Sequence, residues 1–235
     1  PIPDTRTLPN SLWASRSELV GIDMRLDYQL DLLAKLAADY KPEYEAFPRE
    51  RQADLSKFYL ANGSFESVDA EIFYALLRHL RPARMIEIGS GNSTLLAAAA
   101  LTKNATGDGP TCDYTVIDPF PRAVVQQGLL GVSRVVPQGV EDVDLSTFEQ
   151  LESGDILFID SSHVVRIGGD VVYEYLEILP RLKPGVYVHI HDIFLPAEYP
   201  KNLIDKDRWF WSEQYLLQAF LAFNESFEVI WAGNY

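Results

Sequence analysis

"MIEIGSGNSTLLAAAA", residues 85–100, joins an apolar run to an acid, a glycine turn and a stretch of small residues. This reads as the end of a buried strand, a tight turn and the start of a helix. Gly89 and Gly91 allow the chain to turn sharply and another group to approach the backbone. The unsatisfied N–H groups opening the following helix would face the anionic end of a ligand. A GxG turn alone is a weak signal, so its meaning depends on its flanks.

Working outward, short β-rich runs recur at 84–88 (RMIEI), 114–118 (YTVID), 133–138 (SRVVPQ), 155–160 (DILFID) and 185–191 (GVYVHIH). A last run, 227–233 (FEVIWAG), reads as a sixth strand. Helical segments at 170–182 and 212–223 separate strands, and residues 103–113 have the Gly, Pro, Asn and Asp of a surface loop. Repeated βα units imply an α/β fold with a doubly wound, mainly parallel sheet and helices on both faces. On the N-terminal side, residues 15–40 place leucines near helical spacing, and Pro42 and Pro48 interrupt the segment beyond residue 40. A helix over 69–80 has Asp69 near its start and ends before Pro82. Residues 1–66 are therefore read as a helical cap or lid, and 67–235 as the sheet domain.

The 235 residues are 47% hydrophobic, which suits one domain with an appended cap. Acids outnumber Lys and Arg 34 to 20, for a formal charge of −14. With no basic stripe, such a surface argues against nucleic acid or an anionic membrane as partner. A single cysteine, Cys112, forbids an intrachain disulfide. No apolar run reaches the roughly 20 residues of a membrane span, and no signal-peptide pattern opens the chain, which points to the cytoplasm.

In open α/β sheets ligands bind at the carboxyl ends of the strands. There the first turn presents Glu87, Gly89, Ser90, Gly91, Ser93 and Thr94. Asp118 ends the second strand, where a carboxylate accepts from ribose hydroxyls; the plainer reading is a turn acid before "PFPR". A nicotinamide-dependent dehydrogenase is the enzymatic rival, but Thr94 stands where GxGxxG has its third glycine.

The stretches "EIGSGNST", "VIDPF", "ILFIDSSH" and "VYVHIHDIF" occur in an order and spacing that resemble class I S-adenosylmethionine (SAM)-dependent methyltransferases. More narrowly, they resemble bacterial small-molecule enzymes with features of catechol O-methyltransferase. The resemblance runs from about residue 62 to 235 and implies a Rossmann-like fold with SAM as cofactor. It implies that the Glu87–Gly91 turn holds the methionine part, Asp118 the ribose, and the stretch containing Glu141 flanks the adenine. Seven strands are usual in that family, one more than the runs counted here.

Three of the four histidines, His163, His189 and His191, fall at the ends of the fourth and fifth strands, with Asp160 and Asp192 beside them. Imidazoles and carboxylates gathered at a ligand's edge suit proton transfer or a metal. In the catechol-methyltransferase pattern an Asp follows strand four, a basic residue comes three positions later, and an Asp-Asn pair follows strand five. The matching positions are Asp160, His163, His191 and Asp192, so His replaces Lys and His-Asp replaces Asp-Asn. The resemblance thus implies Asp160, His191 and Asp192 as ligands of a divalent ion. A His/carboxylate set suits Mn²⁺, Fe²⁺ or Zn²⁺ better than Mg²⁺. The competing reading is metal-free, with His163 or His191 as base and Asp160 or Asp192 orienting it. Structural readings stay open: Asp160 as a cap, His189 as a core histidine, and His79 as a helix-surface residue.

The methyl acceptor is expected to be a small molecule, walled by Trp209, Phe210, Trp211 and Tyr215 on one side. The opposite wall would be Tyr59, Asn62 and Phe65. The aromatics could equally anchor their loop. In related enzymes the N-terminal helices act as a lid or as the surface of a homodimer. Three functions compete: small-molecule O-methylation, SAM binding without methyl transfer, and N- or C-methylation or cyclisation of the cofactor.

Overall fold

The computed structural model describes residues 4–106, 109 and 111–235. Five parallel strands form one sheet: β1 (Arg84–Ile88), β2 (Asp113–Ile117), β3 (Arg134–Val136), β4 (Ile156–Ile159) and β5 (Tyr187–Ile190). Their order is β3-β2-β1-β4-β5, so the order reverses between β1 and β4. Helices cover both faces, as the alternation of βα units requires. β1 and β4 are buried along nearly their whole length, which is why β4 reads as a continuous apolar run and β1 as one interrupted only by Glu87 after its exposed Arg84.

Nine helices are described in chain order: α1 (Asn10–Ala14), α2 (Leu26–Tyr44), α3 (Asp69–Leu80), α4 (Asn92–Asn104), α5 (Ala123–Gln126), α6 (Ser146–Glu149), α7 (Asp170–Tyr173), α8 (Lys201–Asp205) and α9 (Glu213–Leu221). The chain continues from α7 through a π turn (Glu174–Ile178) and a 3-10 turn (Leu179–Arg181). One sheet face packs Met85, Tyr114, Val116 and Phe158 under α3, α4 and α5. The other packs Ile86, Ile88, Ile117 and Ile159 against Phe148, Val171 and Tyr175, with Leu216 and Phe220 of α9. Among the described residues, no helix is long and apolar enough to cross a membrane.

The N-terminal extension is less helical than its leucine spacing suggests. Leu19, Gly21 and Arg25 all take left-handed backbone conformations, so residues 15–25 cannot continue a helix and α2 begins only at Leu26. Leu36 of α2 packs on Ile72, Ala75 and Leu76 of α3. Glu43 ties α2 to its neighbours by accepting from Tyr74 (2.8 Å), Arg78 (2.9 Å) and Lys103 (2.9 Å). Pro42 lies inside the last turn of α2 and does not end it.

The run 227–233 forms no strand, which corrects the expected sixth one. Its groups are engaged elsewhere. Ala232 donates to the Gln29 side chain of α2 (2.8 Å), Glu228 pairs with Arg25 (2.5 Å), and Phe227 packs on Phe220. The segment is strapped across α2 and α9 rather than laddered to β5.

Candidate functional site

The carboxyl ends of β1, β2 and β4 open into a cavity of about 300 Å³. Gly89, Ser90, Asp118, Glu141, Asp160, Ser161 and Arg166 are among its lining residues, so it lies beside the point where strand order reverses. Gly89 has φ +84°, and a Cβ there would stand 1.9 Å from the carbonyl oxygen of Asp160. The turn is therefore closed to any side chain, and β1 and β4 end in contact. Asp118 accepts from the Ser90 hydroxyl and from the Phe120 amide (2.7 Å), which fixes its carboxylate at the cavity wall.

Glu87, Ser93 and Thr94 do not line the cavity. All three are buried, and they support the turn from beneath. The Ser93 hydroxyl (2.6 Å) and the Tyr114 hydroxyl both donate to the Glu87 carboxyl. Complete burial outweighs these hydrogen bonds and pushes Glu87 up to about 7. Gly91 caps α4, and its amide donates to the Thr94 hydroxyl (2.9 Å).

A second group of side chains adjoins the cavity at the ends of β4 and β5. Asp160 Oδ1 lies 3.2 Å from His163 Nε2 and 3.4 Å from His191 Nδ1. Asp192 Oδ2 lies 3.6 Å from each of the same two nitrogens. Two imidazoles thus straddle two carboxylates almost symmetrically. Asp160, His163 and Asp192 each offer a ligand atom, all within 4.8 Å of one another. Each far ring nitrogen faces a further carboxylate. Glu213 Oε2 is 2.8 Å from His163 Nδ1, and Asp69 Oδ2 is 3.6 Å from His191 Nε2.

Backbone shape makes this convergence possible. His163 and Asp192 both adopt left-handed conformations (φ +58° and +54°) just past their strands, turning their side chains back over the sheet. The His163 carbonyl accepts from the amides of Ser212 (2.8 Å) and Glu213 (3.1 Å), which pins the loop to the start of α9.

The electrostatics follow from the four surrounding carboxylates. Burial works against protonating His163, but Asp160 and Glu213 outweigh it and raise the ring to about 10. The same competition, with Asp160 and Asp69 as partners, raises His191 to about 10. Burial acts to raise Asp160, yet the two histidines hold it well below the usual carboxylate range. Asp192 moves up, chiefly through burial. His191 is the least satisfied member. At 3.4–3.6 Å its contacts are electrostatic rather than directional, and neither ring nitrogen has a hydrogen-bond partner among the described residues. The cluster is built around positive charge, in the form of imidazolium protons or a cation.

His189 stands apart from this centre. It stacks on Phe158 (4.6 Å, 24°) and lies 5.0 Å from Phe73; burial lowers it to about 3. His79 sits at the end of α3, edge-on to Tyr40.

Of the expected acceptor walls, Trp211 abuts His163 (ring centroids 4.6 Å), and Trp209 stacks on Trp211 (5.1 Å). Tyr215 is a layer removed, packed on Tyr199 and donating to Glu198. On the other side, Phe65 reaches the centre, 4.8 Å from the His191 ring. The Asn62 amide donates to Tyr59 O and Phe65 O (2.8 Å each) and accepts from Phe65 N and Asn92 Nδ2 (2.8 Å each). Asn62 is thus occupied in holding its own loop against α4, and Tyr59 enters that loop through its backbone.

Asp69 and Glu213 are the members that sequence reasoning did not find. Asp69 reads as a helix start and Glu213 as an ordinary helix acid; only tertiary contact reveals them.

Residues 86–193 match the family model described as "Methyltransferase domain". A protein of Archaeoglobus fulgidus described as uncharacterized is 34% identical over 143 residues, 60% of this chain and 62% of its own length. The chain thus spans less than two thirds of that relative. A solved chain from Plasmodium falciparum is provisionally described as a protein-L-isoaspartate O-methyltransferase, in complex with S-adenosyl-L-homocysteine. It aligns with 12% identity and a TM-score of 0.32, over 52% of this chain and 59% of its own. Gly89, Asp118, Glu141, Asp160, His163, His191 and Asp192 all fall inside the family match, and Asp69 and Glu213 outside it. The central part of this chain, residues 86–193, is thus similar to a methyltransferase domain.

Proposed function

We propose that the protein is a SAM-dependent methyltransferase acting on a hydroxyl of a small molecule, with a divalent ion at the β4–β5 rim. The observation that carries this reading is the double position of Asp160, which lines the cavity and also contacts both histidines. A ligand filling the cavity would end where the polar centre begins.

In this reading the Gly89–Ser90 turn holds the methionine part, Asp118 the ribose, and Glu141 the edge of the adenine. SAM, when bound, supplies an electrophilic methyl group. The chain's part is alignment and dehydration: Trp211 and Phe65 wall the centre, and the closed turn at Gly89 fixes one end of the approach line.

The donor set fits an ion. Ligands at metal-bond length around one tetrahedral centre stand roughly 3.4 Å apart, and the four imidazole–carboxylate separations are 3.2–3.6 Å. Asp160 and Asp192 would hold the ion together with His163, their donor atoms all lying within 4.8 Å of one another, or with His191, whose Nδ1 is 3.4–3.6 Å from the same carboxylates. Mixed nitrogen and oxygen donors favour Mn²⁺, Fe²⁺ or Zn²⁺ over Mg²⁺. Such an ion would lower the acceptor hydroxyl's pKa. The 2.8 Å contact between His163 and Glu213 supports a second reading, in which His163 accepts the hydroxyl proton through Nε2.

The acidic balance favours a small acceptor over nucleic acid. The test is calorimetric titration of SAM, its demethylated product and NAD⁺ into metal-stripped protein, with and without Mn²⁺. Mass spectrometry of a panel of hydroxylated small molecules would follow. Micromolar binding of the two sulfur compounds with addition of one methyl to an acceptor is expected. Binding without transfer to any acceptor would favour a pure SAM binder, and failure to bind either compound would end the reading.

A further inference from the structure

The centre is framed by two carboxylates from outside the methyltransferase match, Asp69 and Glu213, and the ion reading above uses neither. Each stands in the first turn of a helix, Asp69 in α3 and Glu213 in α9, where backbone N–H groups favour a negative charge. Each addresses the nitrogen of its histidine that points away from Asp160 and Asp192: Glu213 at 2.8 Å from His163 Nδ1, Asp69 at 3.6 Å from His191 Nε2. The arrangement is reciprocal, because one ring turns Nε2 inward and the other turns Nδ1 inward.

We propose that Asp69 and Glu213 are positioning residues. They fix the tautomer and orientation of both imidazoles, so that His163 presents an unprotonated nitrogen to a divalent ion shared with Asp160 and Asp192, while His191 is held against the same two carboxylates from the other side. The inference rests on the ion reading above. An imidazole that donates its outer N–H to a carboxylate is a stronger ligand at its inner nitrogen, and loss of such a partner weakens metal binding by about 10–100-fold.

Three features support this role. Glu213 is fully buried, and its second oxygen accepts from the Tyr175 hydroxyl (3.1 Å), so it cannot swing away from His163. Both histidines are about 95% buried and wedged against aromatics, His163 by Trp211 and His191 by Phe65, so ring rotation is restricted. His191 has no hydrogen-bond partner at either nitrogen among the described residues, although carboxylates stand 3.4–3.6 Å from both. A buried ring left so is poised for a ligand at Nδ1 and a slightly closer Asp69 at Nε2. The flanking helices are then structural parts of the centre.

The test uses the full chain, stripped of metal, with Mn²⁺ binding followed by electron paramagnetic resonance and SAM binding by calorimetry. Asp69→Asn is the primary variant, since Asp69 is partly exposed and its replacement leaves α3 intact. It should raise the Mn²⁺ Kd about 10–100-fold with the SAM Kd unchanged, and Asp69→Glu should recover part of the loss. Glu213→Gln should do the same at His163, with circular dichroism confirming its fold. Wild-type Mn²⁺ affinity in a folded Asp69→Asn variant overturns the positioning role and leaves the ion reading standing. No Mn²⁺ binding by wild type overturns both, while retained SAM binding keeps the methyltransferase reading.

Discussion

Glu87 offers a sharp test of how the turn is supported. It is fully buried beneath Gly89, receives hydrogen bonds from Ser93 and Tyr114, and has its pKa raised to about 7 by burial. A carboxyl raised from 4.5 to about 7 binds its proton more tightly in the fold than in the unfolded chain. Stability from this group is therefore complete below pH 4.5 and is lost as pH rises through 7. The shift corresponds to roughly 3 kcal/mol between the two limits. Glu87→Gln keeps the size and one acceptor but cannot titrate. Both proteins should be unfolded in urea at pH 5, 6, 7 and 8, without cofactor, with the free energy read from circular dichroism. Other groups cancel in the difference between the two. That difference should move in favour of the glutamine by about 3 kcal/mol from acid to pH 8, or roughly 6–12 °C in Tm. A difference that stays flat, or moves towards the glutamate, would show that Glu87 is ionised in the fold and that its hydrogen bonds outweigh burial.

Gly89→Ala would place a Cβ against the Asp160 carbonyl at a positive φ; a loss of about 2 kcal/mol or more in urea unfolding should accompany abolished SAM binding. Wild-type behaviour on both counts would mean that β1 and β4 need not touch. Asp118→Asn should leave unfolding nearly unchanged and raise the SAM Kd about tenfold or more, the cost of one charge-assisted hydrogen bond; an unaltered Kd by calorimetry would remove Asp118 from the ribose. Glu43 behaves opposite to Glu87. Although burial acts to raise it, Arg78, Lys103 and Tyr74 lower it to about 2, so its contribution is present above pH 4.5 and lost as pH falls towards 2. Glu43→Gln should cost about 1–3 kcal/mol at pH 7, the deficit shrinking in acid; a pH-independent deficit would assign the loss to packing.

The stretch 85–100 is legible because β1 is a central strand: burial on both faces writes an apolar run broken only by Glu87, and the glycine turn marks its end. The α/β class and all five strands follow from the same signal repeated. Residues 15–25 misread as helix because left-handed conformations at Leu19 and Arg25, neither a glycine, leave no mark in sequence. The run 227–233 has strand composition, but its partners lie on α2 and α9, which no local pattern reveals. At the site, the sequence foretells the histidines and carboxylates at the strand ends, since strand ends of one sheet share a rim. It does not show that Glu87 lies beneath the turn or that Asn62 is occupied. Nor does it show that Asp69 and Glu213 meet the histidines across long sequence separations.

Asp192 sits in a left-handed conformation, its charge is disfavoured by burial, and no protein group among the described residues donates a hydrogen bond to its side chain. Each circumstance disfavours the folded chain, at about 1 kcal/mol or more for the backbone alone. Glycine at this position would relieve all three, so the fold should grow more robust where, on the proposed reading, it becomes chemically idle. The readiness of the rim is thus a debt carried by the whole scaffold, held in place by the sheet and its two layers of helices. On the proposed reading, selection for hardiness alone would erase this carboxylate and only a chemical role would keep it.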